Sequence, residues 1–420
     1  MLWGRLWSPR RHRGDPTRPL APRGDLERVF AASSAYSRRV ERAGIGVTSR
    51  RAAAAEATST DTDPRRTRPG RHWCRTYDRG MGAARGFWSG FVALAPHRGD
   101  HRVAARAAIS LAVPLLVLWA IGRLDLSIYA SFGAFASLYG RHDGYADRIR
   151  MQAAAGGMLI LVMLIGTAAA VLEASTGIRV LVVAFIATVV TLLAAAWRWH
   201  PPGALFAVFA TGACASLPAD PRSFLDVLVV GGASAAFSIA LTASIAYSRR
   251  RGRLGPVERR RTPSSRDAVA QAVTVGIGAV LAGLAGLALI GDHWYWAMVG
   301  AVAALGGARL TARVIRGLQR LAGTLLGVLI AAGLLALDLP PLATIGVAVL
   351  CQVGAELYVG RNYGIAMLFV TPLALLMIQL VAPADPGTLL ADRALDTLIG
   401  VAIGTAVAVA SAALRRRAPR

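Results

Sequence analysis

Four arginines, Arg309, Arg313, Arg316 and Arg320, follow one another at steps of 4, 3 and 4, so a helix of 3.6 residues per turn carries them on one face. A guanidinium stays charged and presents a planar fork of donors that matches a carboxylate, and a row of them concentrates organic anions. Arginines at the inner ends of membrane spans also reach out to lipid phosphate, and for the stripe as a whole that reading has equal weight. Arg316 and Arg320, nearest the apolar run that follows, are the better candidates for contact with an anion.

Further ionisable residues lie at the edges of apolar runs. Arg222 with Asp226, and Arg393 with Asp396, are about one helical turn apart, and each is expected to form a local ion pair. A carboxylate released from its arginine could carry a proton. Glu356 opens a polar stretch that reaches Asn362 and Tyr363 and leads into Phe369-Val-Thr371-Pro372; its upstream counterpart is Trp199-His-Pro-Pro-Gly203, leading into Phe209-Ala-Thr211. The prolines are expected to kink their spans.

The elements that position these residues are membrane helices. Of the 420 residues 55% are apolar and 17% charged, with mean hydropathy +0.49, far above a soluble domain. From residue 101 apolar runs of span length follow closely, at about 103–121, 126–140, 151–172, 178–196, 203–218 and 224–247, then about 268–290, 293–308, 320–337, 340–355, 362–381 and 392–414. The second of each set is short, which points to a binding region. Tyr129, Trp294, Tyr295 and Trp296 stand at the outer ends of these short runs and are expected in an interfacial aromatic belt, the alternative being the lining of a central path.

The two sets are related. Gly133-Ala-Phe-Ala-Ser-Leu-Tyr-Gly140 lies over Gly300-Ala-Val-Ala-Ala-Leu-Gly-Gly307 with five of eight residues identical. The same offset brings Arg148 and Arg150 near Arg313 and Arg316, and Ala155-Gly156 onto Ala322-Gly323. The expected fold is all-α, a polytopic membrane protein of two six-helix repeats, residues 101–247 and 267–414, joined by a basic linker at 248–266 and closed by a basic tail at 415–420. Arginine placement puts both termini and the linker in the cytoplasm, and an even number of spans makes the repeats parallel.

Residues 1–100 carry 20 arginines and 9 acidic residues with no sustained apolar period, the composition of a disordered tail. Met81 is the alternative first residue. No secretory signal is visible at the start.

Net charge is +24 and all 47 Lys or Arg positions are arginine, a coding bias rather than a mechanism. The charge sits in the tail and between apolar runs, so a membrane orientation signal explains it better than nucleic acid. Cys74, Cys214 and Cys351 are far apart, giving neither a disulfide framework nor a metal site. No GxxxxGK[ST], HExxH or GxSxG motif occurs. No enzyme activity, cofactor or metal is expected.

Trp294-Tyr-Trp-Ala-Met298, Arg316-x-x-x-Arg320-x-x-Gly-Thr324, Asn362-Tyr363 with Phe369-x-Thr371, and Arg393-x-x-Asp396-x-x-x-Gly400 together resemble the fusaric acid resistance family of the aromatic acid exporter superfamily. The resemblance covers residues 101–414 and is strongest in the second half. It implies a multi-helix inner-membrane protein that exports aromatic carboxylic acids, with Arg316 and Arg320 as the anion contacts. Related plant malate channels form dimers, so a homo-oligomer is admitted. Tyr295, Asn362 and Tyr363 join the four arginines as path residues, and membrane lipid and a small organic anion are the expected partners. A passive anion channel and a structural membrane protein without transport are the rival readings.

Overall fold

The computed structural model describes residues 88–96, 99–141, 143–248, 264–307 and 309–417. Met81, most of the 1–100 tail and most of the linker lie outside them.

Every long element among the described residues is a helix. In chain order these are α1 (Asp100–Ala120), α2 (Ser127–Ala134, prolonged by a 3-10 turn Phe135–Leu138), α3 (Tyr145–Val171), α4 (Thr176–Ala196), α5 (Leu205–Ser216) and α6, which is built from Ser223–Asp226, a π turn Val227–Gly231 and Gly232–Ser248. After the linker come α7 (Ser265–Leu289), α8 (Tyr295–Ala304), α9 (Leu310–Leu335), α10 (Pro341–Tyr358), α11 (Tyr363–Val381) and α12 (Pro386–Arg417).

Nine of these are long and apolar enough to cross a membrane, and α2, α5 and α8 are shorter apolar helices. At 1.5 Å per residue the 10 residues of α8 cover roughly 15 Å, about half of a hydrocarbon core. The short second helix of each half is as the sequence predicts. The short α5 is not: Pro201, Pro202 and Gly203 block its upstream extension, and it ends at Ser216 before Pro218.

Two helices begin earlier than their apolar runs. α9 starts at Leu310 with Arg309 as its N-cap, because nothing between 310 and 320 breaks a helix. α12 starts at Pro386, the favoured first position for proline, and the Asp385 carboxylate accepts from the Thr388 amide at 2.8 Å. Arg393 and Asp396 therefore sit within α12 rather than at its edge.

The helices pack in reciprocal pairs. α1 lies on α10 as α7 lies on α4; α2 meets α6 as α8 meets α12; α3 meets α5 as α9 meets α11; and α8 touches α5 as α11 touches α2. Each pair keeps its counterpart when six is added to or taken from both helix numbers.

Close approach depends on glycine. A Cβ at Gly400 would stand 2.3 Å from the Ala297 carbonyl, and one at Gly323 only 2.2 Å from the Gly364 carbonyl. These contacts seat α12 on α8 and α9 on α11. The same packing overturns the aromatic belt. Tyr129, Trp294, Tyr295 and Trp296 are 6%, 2%, 4% and 1% exposed, because α2 is enclosed by α1, α3 and α6, and α8 by α7, α12 and α5.

Candidate functional site

The arginine stripe divides into parts with different surroundings. Arg309 is exposed. The Arg313 Nε donates to the Gly307 carbonyl at 2.8 Å, and its Nη2 donates to the Gln271 side chain. The first half repeats this clasp, since the Arg148 Nε donates to the Gly140 carbonyl at 2.9 Å. Both glycines have positive φ, 70° and 121°, so each turn leaves the short helix through a conformation that favours glycine. Arg106 on the Ser137 carbonyl and Gln271 on the Leu305 carbonyl, at 3.0 and 3.1 Å, hold the helix ends beside these turns. Arg313 thus has the contacts of a cap.

Arg316 and Arg320 turn toward α11. The Arg316 guanidinium carbon lies 3.9 Å from the centre of the Tyr363 ring, a cation–π contact. The Arg320 Nη1 donates to the Tyr363 hydroxyl at 2.8 Å and approaches the Met367 sulfur at 3.7 Å. From α12, Arg393 places its guanidinium carbon 4.8 Å from the Trp296 ring centre, close enough to Arg320 for the two charges to oppose each other. Asp396, one turn on, is 0% exposed.

The polar atoms of this group are poorly satisfied. Nε of Arg316, Arg320 and Arg393, both carboxylate oxygens of Asp396, Nε1 of Trp296 and the hydroxyls of Thr324 and Thr371 are all buried without a hydrogen-bond partner. Buried polar groups are nearly always paired, and leaving a charged one unpaired costs more than leaving a neutral one. Arg393 lies beside the one carboxylate of the group, Asp396, and close to Arg320. The arrangement can accept an anion.

Neither expected local ion pair forms. Among the described residues, ion pairs join Arg123 with Asp125, Arg141 with Asp100 and Glu356, Arg150 with Asp147, and His293 with Asp392. Arg222 is exposed, and its amide donates to the Asp220 carboxylate at 2.8 Å. Asp226 is half-buried at the start of the π turn. Arg393 covers Trp296 instead of meeting Asp396. Glu356 joins the second half to the first through Arg141 and lies apart from the arginine group.

Tyr295, a path candidate, is buried and stacks on Phe209 with ring centres 6.2 Å apart. Asn362 caps α11 by accepting from the Ile365 amide at 3.1 Å. It also donates to the Phe91 and Ala93 carbonyls, both at 3.1 Å. Gln319 donates to the same Phe91 carbonyl at 2.8 Å, and Ala95 and Arg361 exchange two hydrogen bonds of 3.1 and 3.0 Å. Residues 88–96, assigned from sequence to the tail, are thus a strap held beside Tyr363. Together they line a cleft of about 300 Å³.

At the other end of α8, His293 stacks on Trp296 with ring centres 4.7 Å apart and bonds Asp392 at 2.8 Å. Trp296 therefore carries contacts to both His293 and Arg393. Sequence reasoning passed over His293, Gln319, Thr324 and Arg141 as site residues. Thr324 could have been found, since it closes the Arg316 to Thr324 signature. Arg141 could not, because its partner is 215 residues away.

Residues 277–407, from within α7 to within α12, match the family model described as fusaric acid resistance protein-like. No curated protein and no solved structure matches the chain. The matched stretch holds Trp296, Arg316, Arg320, Tyr363, Arg393 and Asp396, so the whole arginine group falls inside it. Over this stretch the chain is similar to the fusaric acid resistance protein-like family, and its long apolar helices make it a multi-pass membrane protein.

Proposed function

We propose that this chain transports organic anions, aromatic carboxylates among them, through the group formed by Arg316, Arg320 and Arg393. The observation that carries the reading is a cluster of three guanidiniums, Arg316 and Arg320 on Tyr363 and Arg393 close to Arg320, each with a buried unpaired Nε, while Asp396 beside Arg393 has no hydrogen-bond partner. Isolated buried charge is expensive, and an entering carboxylate would supply the missing acceptors. Tyr363 and Trp296 would lie along its ring.

In this reading the protein has twelve spans in two parallel repeats, with both termini cytoplasmic in the inner membrane. Reciprocal helix packing supports the repeats, and the arginine-rich connections support the orientation. The anion enters near Asn362 and leaves past Trp296 and His293, and rocking of one half against the other exposes the site in turn. The word resistance in the family description favours export.

The test is flux. Full-length protein in liposomes should take up benzenesulfonate and its carboxylate analogue along an outward or inward gradient. Arg320→Gln and Arg393→Gln should lower the rate at least tenfold while eluting as the wild type does. Saturable uptake identifies a carrier, and conductance steps in a planar bilayer identify a channel. Wild-type flux no greater than that of empty liposomes, for either anion, would overturn the proposal.

A further inference from the structure

We propose that Asp396 takes up a proton as the anion enters the arginine group, so that anion and proton bind, and cross, as a pair. This rests on the reading of that group as an anion site.

The geometry comes first. Asp396 is fully buried and neither carboxylate oxygen has a hydrogen-bond donor. The charged and titratable groups that face it can be named element by element. Its own helix supplies Asp392, which is engaged by His293, and Arg393. α8 supplies Tyr295; beyond Arg393 lie Arg320 of α9 and Tyr363 of α11, with Arg316 over the Tyr363 ring. On α7 the titratable side chains, Arg266 and Asp267, are confined to the first turn.

A bare carboxylate without donors stays ionised in a dry place only by virtue of nearby positive charge. Here that charge is chiefly Arg393. An anion that binds Arg393 and Arg320 brings a second negative charge beside Asp396 and cancels the field that favours its ionised form. At a separation of about 6 Å and an effective dielectric constant of about 20, that charge strengthens proton binding on the order of a hundredfold. Linkage makes the effect mutual: a protonated Asp396 strengthens anion binding by the same factor.

The balance is simple. One anion and one proton come from the same solution, the proton going to a carboxylate oxygen of Asp396, and for a monoanion the net charge of the site is unchanged. Electrostatics of this sign couples the two ions in one direction and excludes exchange of one for the other. Export would then run on the anion's own gradient, and an inward proton gradient would oppose it.

The experiment is calorimetric titration of the full-length protein with benzenesulfonate, which stays ionised throughout, in two buffers of different ionisation heat between about pH 5.5 and 8.5. The wild type should take up protons on binding, approaching one per anion, with affinity falling as pH rises. Asp396→Asn should take up none and bind with an affinity independent of pH. Binding by the wild type without proton uptake anywhere in that range would overturn the coupling and leave the anion site standing, as would uptake that persists in Asp396→Asn. No benzenesulfonate binding at any pH would overturn the anion site and this proposal with it. The wild-type measurement needs no variant to fold.

Discussion

Gly323→Ala isolates the geometry of the arginine group from its charge. The added Cβ would stand 2.2 Å from the Gly364 carbonyl oxygen and 2.7 Å from the Met367 Cβ. An unstrained carbon–oxygen contact is about 3.3 Å, so α9 and α11 must separate by about 1 Å. Backbone lies on both sides, and no side-chain rotation relieves the overlap. The Arg320 to Tyr363 hydroxyl bond, now 2.8 Å, would lengthen beyond hydrogen-bond range. Forced overpacking costs about 1–3 kcal/mol. The charged hydrogen bond is worth a further ~1.5–3 kcal/mol, or about ten- to a hundredfold in anion affinity where the group must hold its shape. Gly333→Ala on the same helix is the control, because its Cβ would meet nothing within 4 Å, and it should stabilise by up to about 1 kcal/mol. Thermal unfolding in detergent and titration with benzenesulfonate read the two effects. If Gly323→Ala matched Gly333→Ala in both, the tight seating of α9 on α11 would be refuted as the device that shapes the site.

Two further predictions separate capping from binding. Arg148→Ala and Arg313→Ala should each lower stability by about 1–3 kcal/mol, through loss of the bond to the Gly140 or Gly307 carbonyl, while changing anion affinity less than threefold; a loss of affinity confined to Arg313→Ala would place it in the path. Asn362→Ala should cost about 1 kcal/mol as a lost helix cap and release residues 91–95, read as faster chymotryptic cleavage at Phe91 with the helices intact.

Much of this was legible in the sequence because composition and period are local. Apolar runs, glycine-alanine blocks and arginine spacing place the helices, and the short α2 and α8 show in run length alone. The site was half legible. Arg316, Arg320 and Tyr363 converge, but the stripe's apparent continuity hid a division of labour, since Arg313 has the Gly307 carbonyl within reach and Arg316 has the Tyr363 ring. Arg393 and Asp396 were misread as a pair because spacing shows which residues could meet and says nothing of Trp296, which draws the guanidinium away. The belt failed for a related reason: an aromatic at the end of a short apolar run faces lipid or core according to how many helices surround it, a property of packing.

The strap beside Tyr363 is held through its main chain. Phe91, Ala93 and Ala95 give the clamp only carbonyls and one amide. A grip of that kind is indifferent to side-chain identity, so positions 91, 93 and 95 can drift among many residues, with proline at 95 the evident exception because it lacks the amide. Inherited constraint falls instead on the residues that do the gripping, Asn362 and Gln319. A search for descendants of this arrangement would therefore follow those two positions and disregard the spelling of the segment they hold.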